Sequence, residues 1–386
     1  MKLPEYKVKE LFEKIGIATM RGCVADGARD ISETIRAAGL DYPVVIKAQV
    51  PIGGRGKAGG IRFADSPEEA VAHCESLLGS ELKGYPVREV LIVEKSTHST
   101  EWYLSILLDR TSKRPVVIFS GLGGMEIEQT AASSPDKIRK VEIDPLIGVQ
   151  DYAARYLLSA SGLPITHAAA LAELIRRLYQ LFTEYNALLV EINPLVADNS
   201  ERLVALDGKM EVDDSALYRL PDLSAYRDSM KEEDFIKEAR AFDFLYIPVE
   251  KGGKVAVCSN GSGMLMSCID MITRNGMTVG AALDLGGGAT AERIAEAMRI
   301  LFSTSGIRAV VINIFGGITR CDEVAGGVKL AMEKGALDGK LIVLRMEGTN
   351  KEQGIRCIEC LNAEDVVMAV GLRESIQALV ERRNRL

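Results

Sequence analysis

Between residues 53 and 60 the chain reads Gly53-Gly54-Arg55-Gly56-Lys57-Ala58-Gly59-Gly60, shortly after Lys47 in the apolar run VVIKAQV. A glycine-rich loop with two cations can fold over a polyphosphate, because backbone N–H groups and point charges both neutralise phosphate oxygens. It is not a P-loop, since no Gly-Lys-Ser/Thr stands at the required spacing. By itself it reads equally as the tip of a flexible hairpin. What favours the phosphate reading is Glu191-Ile192-Asn193-Pro194 together with Asp207 in LVALDGKM. Alternate strand positions share a face, so Glu191 and Asn193 point the same way, and Asp207 can join them from a neighbouring strand. A few oxygen ligands of this kind suit Mg²⁺, which keeps waters and bridges phosphates. Taken together, these residues point to a Mg–nucleotide site.

A further group lies towards the C-terminus. Ser259-Asn260-Gly261-Ser262-Gly263, Asp284-Leu285-Gly286-Gly287-Gly288 and Phe315-Gly316-Gly317-Ile318-Thr319 each follow an apolar, β-rich run. Glycine there lets a ligand approach main-chain N–H groups at a helix N-terminus, where the dipole favours an anion. Turns between strand and helix also use glycine for structural reasons, but its recurrence in consecutive units points to a ligand.

The elements that hold these residues differ between the two parts of the chain. From about residue 254, KVAVCS, TVGAALDL, RAVVINIF, KLIVLR and DVVMAVG are each followed by a helical pattern. That alternation predicts a flavodoxin-like, doubly wound parallel sheet, an α/β domain over 245–386. Before residue 235, strands are expected at 43–49, 88–95, 102–109 and 115–120. Two more, at 187–192 and 203–207, follow the long helical stretch HAAALAELIRRLYQLFTEY. Strands and helices in runs suggest α+β. The polar stretch 226–240 is expected as the linker.

Composition removes several functions. With 386 residues, 47% hydrophobic and 26% charged, the chain is expected to be a packed, multidomain globular protein. Lys plus Arg number 47 against 54 Asp plus Glu, and no basic stripe appears, so no nucleic-acid or membrane partner is expected. The three histidines, His73, His98 and His167, lack ligand spacing and are expected at surface or capping positions. Seven cysteines, an odd number, read as reduced thiols in a cytoplasmic protein, with Cys357 and Cys360 on one helical turn. The helix-like LPEYKVKELFEKIG near Met1 leaves no room for a transit peptide.

The motifs EYKVKELF, KAQVxxGGRGKAGG, VEINPLV, LDGKM, NGSGM, LDLGGGAT, NIFGGITRCD and LRMEGTN occur in an order and spacing that resemble the β subunit of succinyl-CoA synthetase. The resemblance covers essentially the whole chain. It implies a two-lobed ATP-grasp domain over 1–235 followed by the CoA-ligase domain. The implied activity converts succinate, CoA and ATP or GTP reversibly to succinyl-CoA, ADP or GDP and phosphate. The implied partner is an α subunit, in an αβ or α2β2 assembly, which binds most of the CoA and carries a phosphorylated histidine. By the same resemblance Lys47, Gly54, Arg55 and Gly56 hold nucleotide phosphates, and Val93 and Ser96 line the adenine hinge. Glu101 contacts the nucleotide at its ribose side, and Asn193 and Asp207 hold Mg²⁺. Glu191 orients the partner's histidine, while Asn260, Gly317, Ile318 and Thr319 meet the dicarboxylate or its phosphate.

The chain also departs from that family. Val93 and Leu122 stand where relatives tend to have Glu, Pro51-Ile52 replaces His-Ala, and Thr319 stands in place of valine. A Thr319 hydroxyl can donate to a hydroxy acid, which is the route to a malate–CoA or citrate–CoA ligase. It can equally bond backbone, which leaves succinate the expected substrate. A non-catalytic assembly or regulatory subunit is the alternative from another class, and the intact Lys47, Arg55, Asn193 and Asp207 stand against it.

Overall fold

The computed structural model describes the chain except residues 28–29, 51–53, 99, 199–201, 231–233, 336, 338 and 386, and the side chains of 234 and 385. Gly53 and Pro51-Ile52 therefore lie outside the described residues. The chain divides into two compact units, Met1–Tyr226 and Arg227–Leu386.

Among its described residues the first unit contains two large antiparallel sheets, each with its own helices, and a two-stranded one pairing Glu81–Leu82 with Tyr85–Pro86. Strands β1 (Gly22–Ala25), β2 (Val44–Ala48), β3 (Ile61–Ala64) and β4 (Val90–Glu94) form one sheet in the order β1-β4-β2-β3. Val44, Ile46 and Ala48 on β2 face one way, with Ile92 opposite Ile46, and pack on Ile35, Ala70, Cys74 and Leu77. Those residues come from α2 (Ile31–Ala38) and α3 (Pro67–Leu77), capped by Asp30 and Ser66. Period-two alternation then sends Val45 and Lys47 to the opposite face, beside Leu91 and Val93.

The larger sheet comprises β5 (Glu101–Asp109), β6 (Arg114–Ser120), β7 (Ile138–Glu142), β8 (Ala187–Ala197), β9 (Leu203–Ala205) and β10 (Gly208–Val212). Its order is β9-β8-β5-β6-β7, with β10 also paired to β8. The helix Ala168–Glu184 lays Leu171, Ile175, Leu178 and Leu181 on this sheet, a stripe at helical spacing. The chain start joins the same layer. Leu3 N–H donates to Met210 O, and α1 (Glu5–Lys14) packs Val8 and Phe12 into that core. A side chain at residue 208 would come within 2.6 Å of the Phe12 ring, so glycine is what lets α1 lie against β10.

The second unit holds β11 (Leu245–Pro248), β12 (Val255–Ser259), β13 (Val279–Asp284), β14 (Ala309–Gly316), β15 (Leu341–Gly348) and β16 (Val366–Met368), in the order β11-β13-β12-β14-β15-β16. The five parallel strands thus follow the 2-1-3-4-5 order of a doubly wound sheet. Ala256 and Cys258 of β12 belong to one core with Ile294, Met298, Val324 and Ile358, while Val255 and Val257 belong to another with Leu265, Ile272, Ile376 and Leu379. Helices therefore cover both faces, which explains why these strands read as continuous apolar runs.

In the second unit two elements were not foreseen. The antiparallel edge strand β11 precedes the expected first strand. The stretch 226–240 is not a free linker, because helix Asp234–Ala241 buries Ala239 and pairs Glu238 with Arg299 in the second unit. Its polar sequence reflects one exposed face, with Phe235 packed on Tyr246.

Gly348, at φ 128°, ends β15 where a Cβ would overlap the backbone oxygen of Gly316. Gly348→Ala is expected to lower stability by about 3 kcal/mol, measured by urea denaturation of the full chain. A loss under about 1 kcal/mol would show that the β14–β15 register yields easily.

Candidate functional site

The first unit brings its two sheets together through charge. Lys47 Nζ lies 2.6 Å from Glu5 Oε1 and 2.9 Å from Leu206 O. Arg55 Nη2 lies 2.7 Å from Glu5 Oε2 and 3.1 Å from Asp207 Oδ2, while its Nη1 donates to Ala48 O at 3.2 Å. Lys47 and Arg55 come from β2 and the loop after it; Glu5 and Asp207 come from α1 and the turn between β9 and β10. The Glu5 side chain is 3% exposed and that of Asp207 27%. Burial pushes the Glu5 carboxyl up, but Lys47 and Arg55 outweigh it and hold the group below its ordinary range. Burial, then the neighbouring Glu5 carboxylate, push Asp207 the other way. Burial works to lower the Lys47 ammonium, yet Glu5 and Asp207 keep it above its usual value.

The other expected residues border this cluster to different degrees. Gly54 and Gly56 lie in the β2–β3 connection, whose described part folds into tight turns, with Gly59 N–H donating to Gly56 O and Gly60 N–H to Arg55 O. Val93 is buried on β4 and lines a cavity of about 10 Å³ with Glu5, Leu91, Leu206 and Asp207. Asn193 N–H donates to Asp207 O at 3.1 Å, which sets the Asn193–Pro194 corner beside Asp207. Glu191 and Asn193 both lie on β8, two residues apart. The amide of Asn193 is engaged further, since its Oδ1 accepts from Gly124 N–H at 2.8 Å and its Nδ2 donates to Met125 O. Burial pushes the Glu191 carboxyl up against the opposing pull of Lys209, and Tyr103 Oη donates to it at 3.3 Å. Ser96 is half-buried between β4 and β5, and Glu101 opens β5 paired with His98 at 2.8 Å. Glu101 is linked towards Asn193 through the backbone of Gly123 and Gly124, and its strand β5 pairs with β8 at Val196.

In the second unit the three glycine turns form one hydrogen-bonded rim. The side chain of Asn260 exchanges both its groups with the backbone of Phe315, each at 3.1 Å, across the β12–β14 switch point. Ser262 Oγ donates to Asp284 Oδ2 at 2.7 Å, and Gly286 N–H donates to Asp284 Oδ1 at 3.0 Å. Gly288 N–H donates to Thr319 Oγ1 at 3.2 Å. Thr319 is 1% exposed, whereas Ile318 is 79% exposed beside an open Gly317. The Thr319 hydroxyl is thus bonded to backbone as an acceptor. Helix Ser262–Arg274 starts at Gly261 without a side-chain cap.

Sequence reasoning missed Glu5, Tyr103 and Asp284. Glu5 lies on the same α1 stripe as Val8 and Phe12, and a carboxylate in line with buried positions is the signal that would have found it. His73 sits on α3 and His98 pairs with Glu101. His167 opens the helix Ala168–Glu184, as expected, but does not cap it; its ring packs edge-on against Trp102 at 5.3 Å. All seven cysteines are free thiols. Among the described residues no helix is long and apolar enough to cross a membrane.

Comparison with known proteins decides the family. The ATP-grasp domain pattern matches residues 2–197 and the CoA-ligase pattern residues 258–366. The chain is 42% identical to the succinate–CoA ligase [ADP-forming] subunit beta of Desulfurococcus amylolyticus, covering 93% of both chains. It is 38% identical to the subunit of the same name from Halobacterium salinarum, over 99% of this chain and 98% of that one. The chain belongs to the succinate–CoA ligase β-subunit family. Its ATP-grasp and CoA-ligase regions fall within the first and second units respectively. A solved structure of ATP citrate lyase from Methanothrix soehngenii, in complex with citrate and coenzyme A, superposes with a TM-score of 0.77 over 98% of this chain and 99% of that chain. At 18% identity it shows the shared fold alone.

Removing one member of the charge cluster strands the others. Lys47→Met is expected to cost about 3–5 kcal/mol of stability. In a denaturation cycle the Lys47→Met/Glu5→Gln double variant is expected to lose clearly less than the sum of the two single variants. Strict additivity would mean that the pair does not interact.

Proposed function

We propose that the chain is the nucleotide-binding β subunit of an ADP-forming succinate–CoA ligase, which couples succinate, CoA and ATP reversibly to succinyl-CoA, ADP and phosphate. The observation that carries this is the convergence of Lys47, Arg55 and Asp207 in one cleft of an ATP-grasp domain, in a chain 38–42% identical to named β subunits over nearly its whole length. The positioned cations supply what phosphoryl transfer needs, charge neutralisation with little covalent work by the protein. Lys47, Arg55 and the backbone of Gly54 and Gly56 hold the phosphates, with the adenine against Val93 and Ser96 and the ribose near Glu101.

The oxygen donors fit a magnesium ion better than a softer metal. Asn193 offers an amide oxygen and Asp207 a carboxylate, and no group of three His, Cys, Asp or Glu able to cage a metal occurs among the described residues. That set suits Mg²⁺ held partly by phosphates, where it would neutralise the developing phosphate charge. Glu191, held by Tyr103, accepts the ring N–H of a histidine supplied by an α subunit and so fixes its tautomer and aim. The α subunit binds most of the CoA, in an αβ or α2β2 assembly. The dicarboxylate or its phosphate meets the rim of Asn260 and Gly317–Thr319, where uncapped helix amides favour an anion. Thr319, 1% exposed and accepting from Gly288, is built into the rim, and the identity to named succinate–CoA ligase subunits supports succinate as the substrate.

The test is steady-state kinetics of the full chain reconstituted with its α subunit. Succinate is expected to exceed malate and citrate in kcat/KM by at least about 100-fold, and a preference for either hydroxy acid would overturn the substrate assignment. Glu191→Gln is expected to slow phosphorylation of the α subunit about 100-fold or more with Mg–ADP affinity little changed. Unchanged phosphorylation would remove Glu191 from the transfer.

A further inference from the structure

Glu5 has no part in the function proposed above, yet it occupies the centre of the cleft. It stands on α1, packed with the larger sheet, and both its charged partners, Lys47 and Arg55, belong to the sheet of β1–β4. Its two oxygens bridge an ammonium and a guanidinium at 2.6 and 2.7 Å, the same fork of short charge-assisted bonds that two phosphate oxygens offer. The remaining bonds of these cations run to Leu206 O, Ala48 O and Asp207, so their donors are directed to protein groups. The cavity of about 10 Å³ lined by Glu5 and Asp207 lies against Leu91, Val93 and Leu206, and neither Lys47 nor Arg55 lines it. Phosphate oxygens can take up these donors only if the ion pairs yield.

We propose that Glu5 is a placeholder anion and positioning residue for nucleotide binding. Its carboxylate keeps Lys47 and Arg55 aimed into the cleft, and nucleotide phosphate oxygens displace it, releasing Asp207 from Arg55 in the same exchange. The affinity for nucleotide is then the difference between phosphate–cation and carboxylate–cation pairing. A ligand succeeds only if it reaches both cations together, which selects di- and triphosphates over a single phosphate. The proposal rests on the nucleotide reading of this cleft.

Mg–ADP titrations of the full chain, with thermal melting, test it in wild type, Glu5→Gln and Glu5→Asp. Glu5→Gln is expected to melt lower than wild type alone, to gain more in Tm from Mg–ADP, and to bind it about tenfold tighter, equivalent to about 1.4 kcal/mol. Glu5→Asp keeps the charge and is expected to bind as wild type does. A folded Glu5→Gln that binds Mg–ADP no more tightly than wild type overturns the role of Glu5, since a purely structural residue would lower Tm without changing the gain from ligand. Should Glu5→Gln fail to fold, the carboxyl ¹³C resonance of Glu5 in the labelled wild-type chain is expected to shift on adding Mg–ADP. An unmoved resonance overturns the proposal. If wild type itself does not bind millimolar Mg–ADP, the nucleotide reading fails and takes this inference with it.

Discussion

Four charges, on Glu5, Lys47, Arg55 and Asp207, cross from one sheet of the first unit to the other, and the arrangement around them follows from their burial. Buried charges persist only when paired and hydrogen-bonded, so each must be delivered to the cleft by an element with little freedom. Strand alternation on β2 delivers Lys47, because its neighbours Ile46 and Ala48 are claimed by the helices on the opposite face. The close approach of α1 to Gly208 delivers Glu5. The turn from β9 to β10 delivers Asp207, whose backbone also anchors Asn193. Apolar packing thus sets the geometry, and the charges occupy the one face that packing leaves free.

The second unit solves a related problem without buried cations. Its glycine turns are held by Asn260, Asp284 and Thr319, each tying a neighbouring turn or strand end through a main-chain N–H. Such a rim is rigid because the polar side chains are spent on backbone. The groups left unengaged at the rim are the amides at the start of helix Ser262–Arg274, which has no side-chain cap, and the exposed Gly317–Ile318 segment. Asn260, expected to touch substrate, is bonded to Phe315 on both of its polar groups.

Much of this was legible before any coordinates, for a definite reason. The second unit's strands are long, apolar and each followed by a helix, so period and alternation agreed, and the order 2-1-3-4-5 follows from that class. The strands missed, Gly22–Ala25, Ile61–Ala64, Glu81–Leu82, Tyr85–Pro86, Ile138–Glu142, Gly208–Val212 and Leu245–Pro248, are short and lie at or near sheet edges, where the apolar signal fades. The site divided in the same way. Lys47, Arg55 and Asp207 were marked by residue type and motif. Glu5 was passed over as part of a helix start, because a buried carboxylate is visible only once its partners from other elements are known. Leu122, noted as a departure, is 45% exposed on the loop after β6, where its N–H bonds Ser120 Oγ and its side chain joins no ion pair.

The histidines carry the last step. A phosphoryl group moved through imidazole needs a ring nitrogen that is free, exposed and able to approach the donor. His98 is engaged with Glu101, His167 is packed against Trp102, and His73 lies on α3. Glu191, by contrast, is a carboxylate raised by burial and steadied by Tyr103. Among the described residues neither His98 nor His167 is hydrogen-bonded to it, the first being held by Glu101 and the second packed on Trp102.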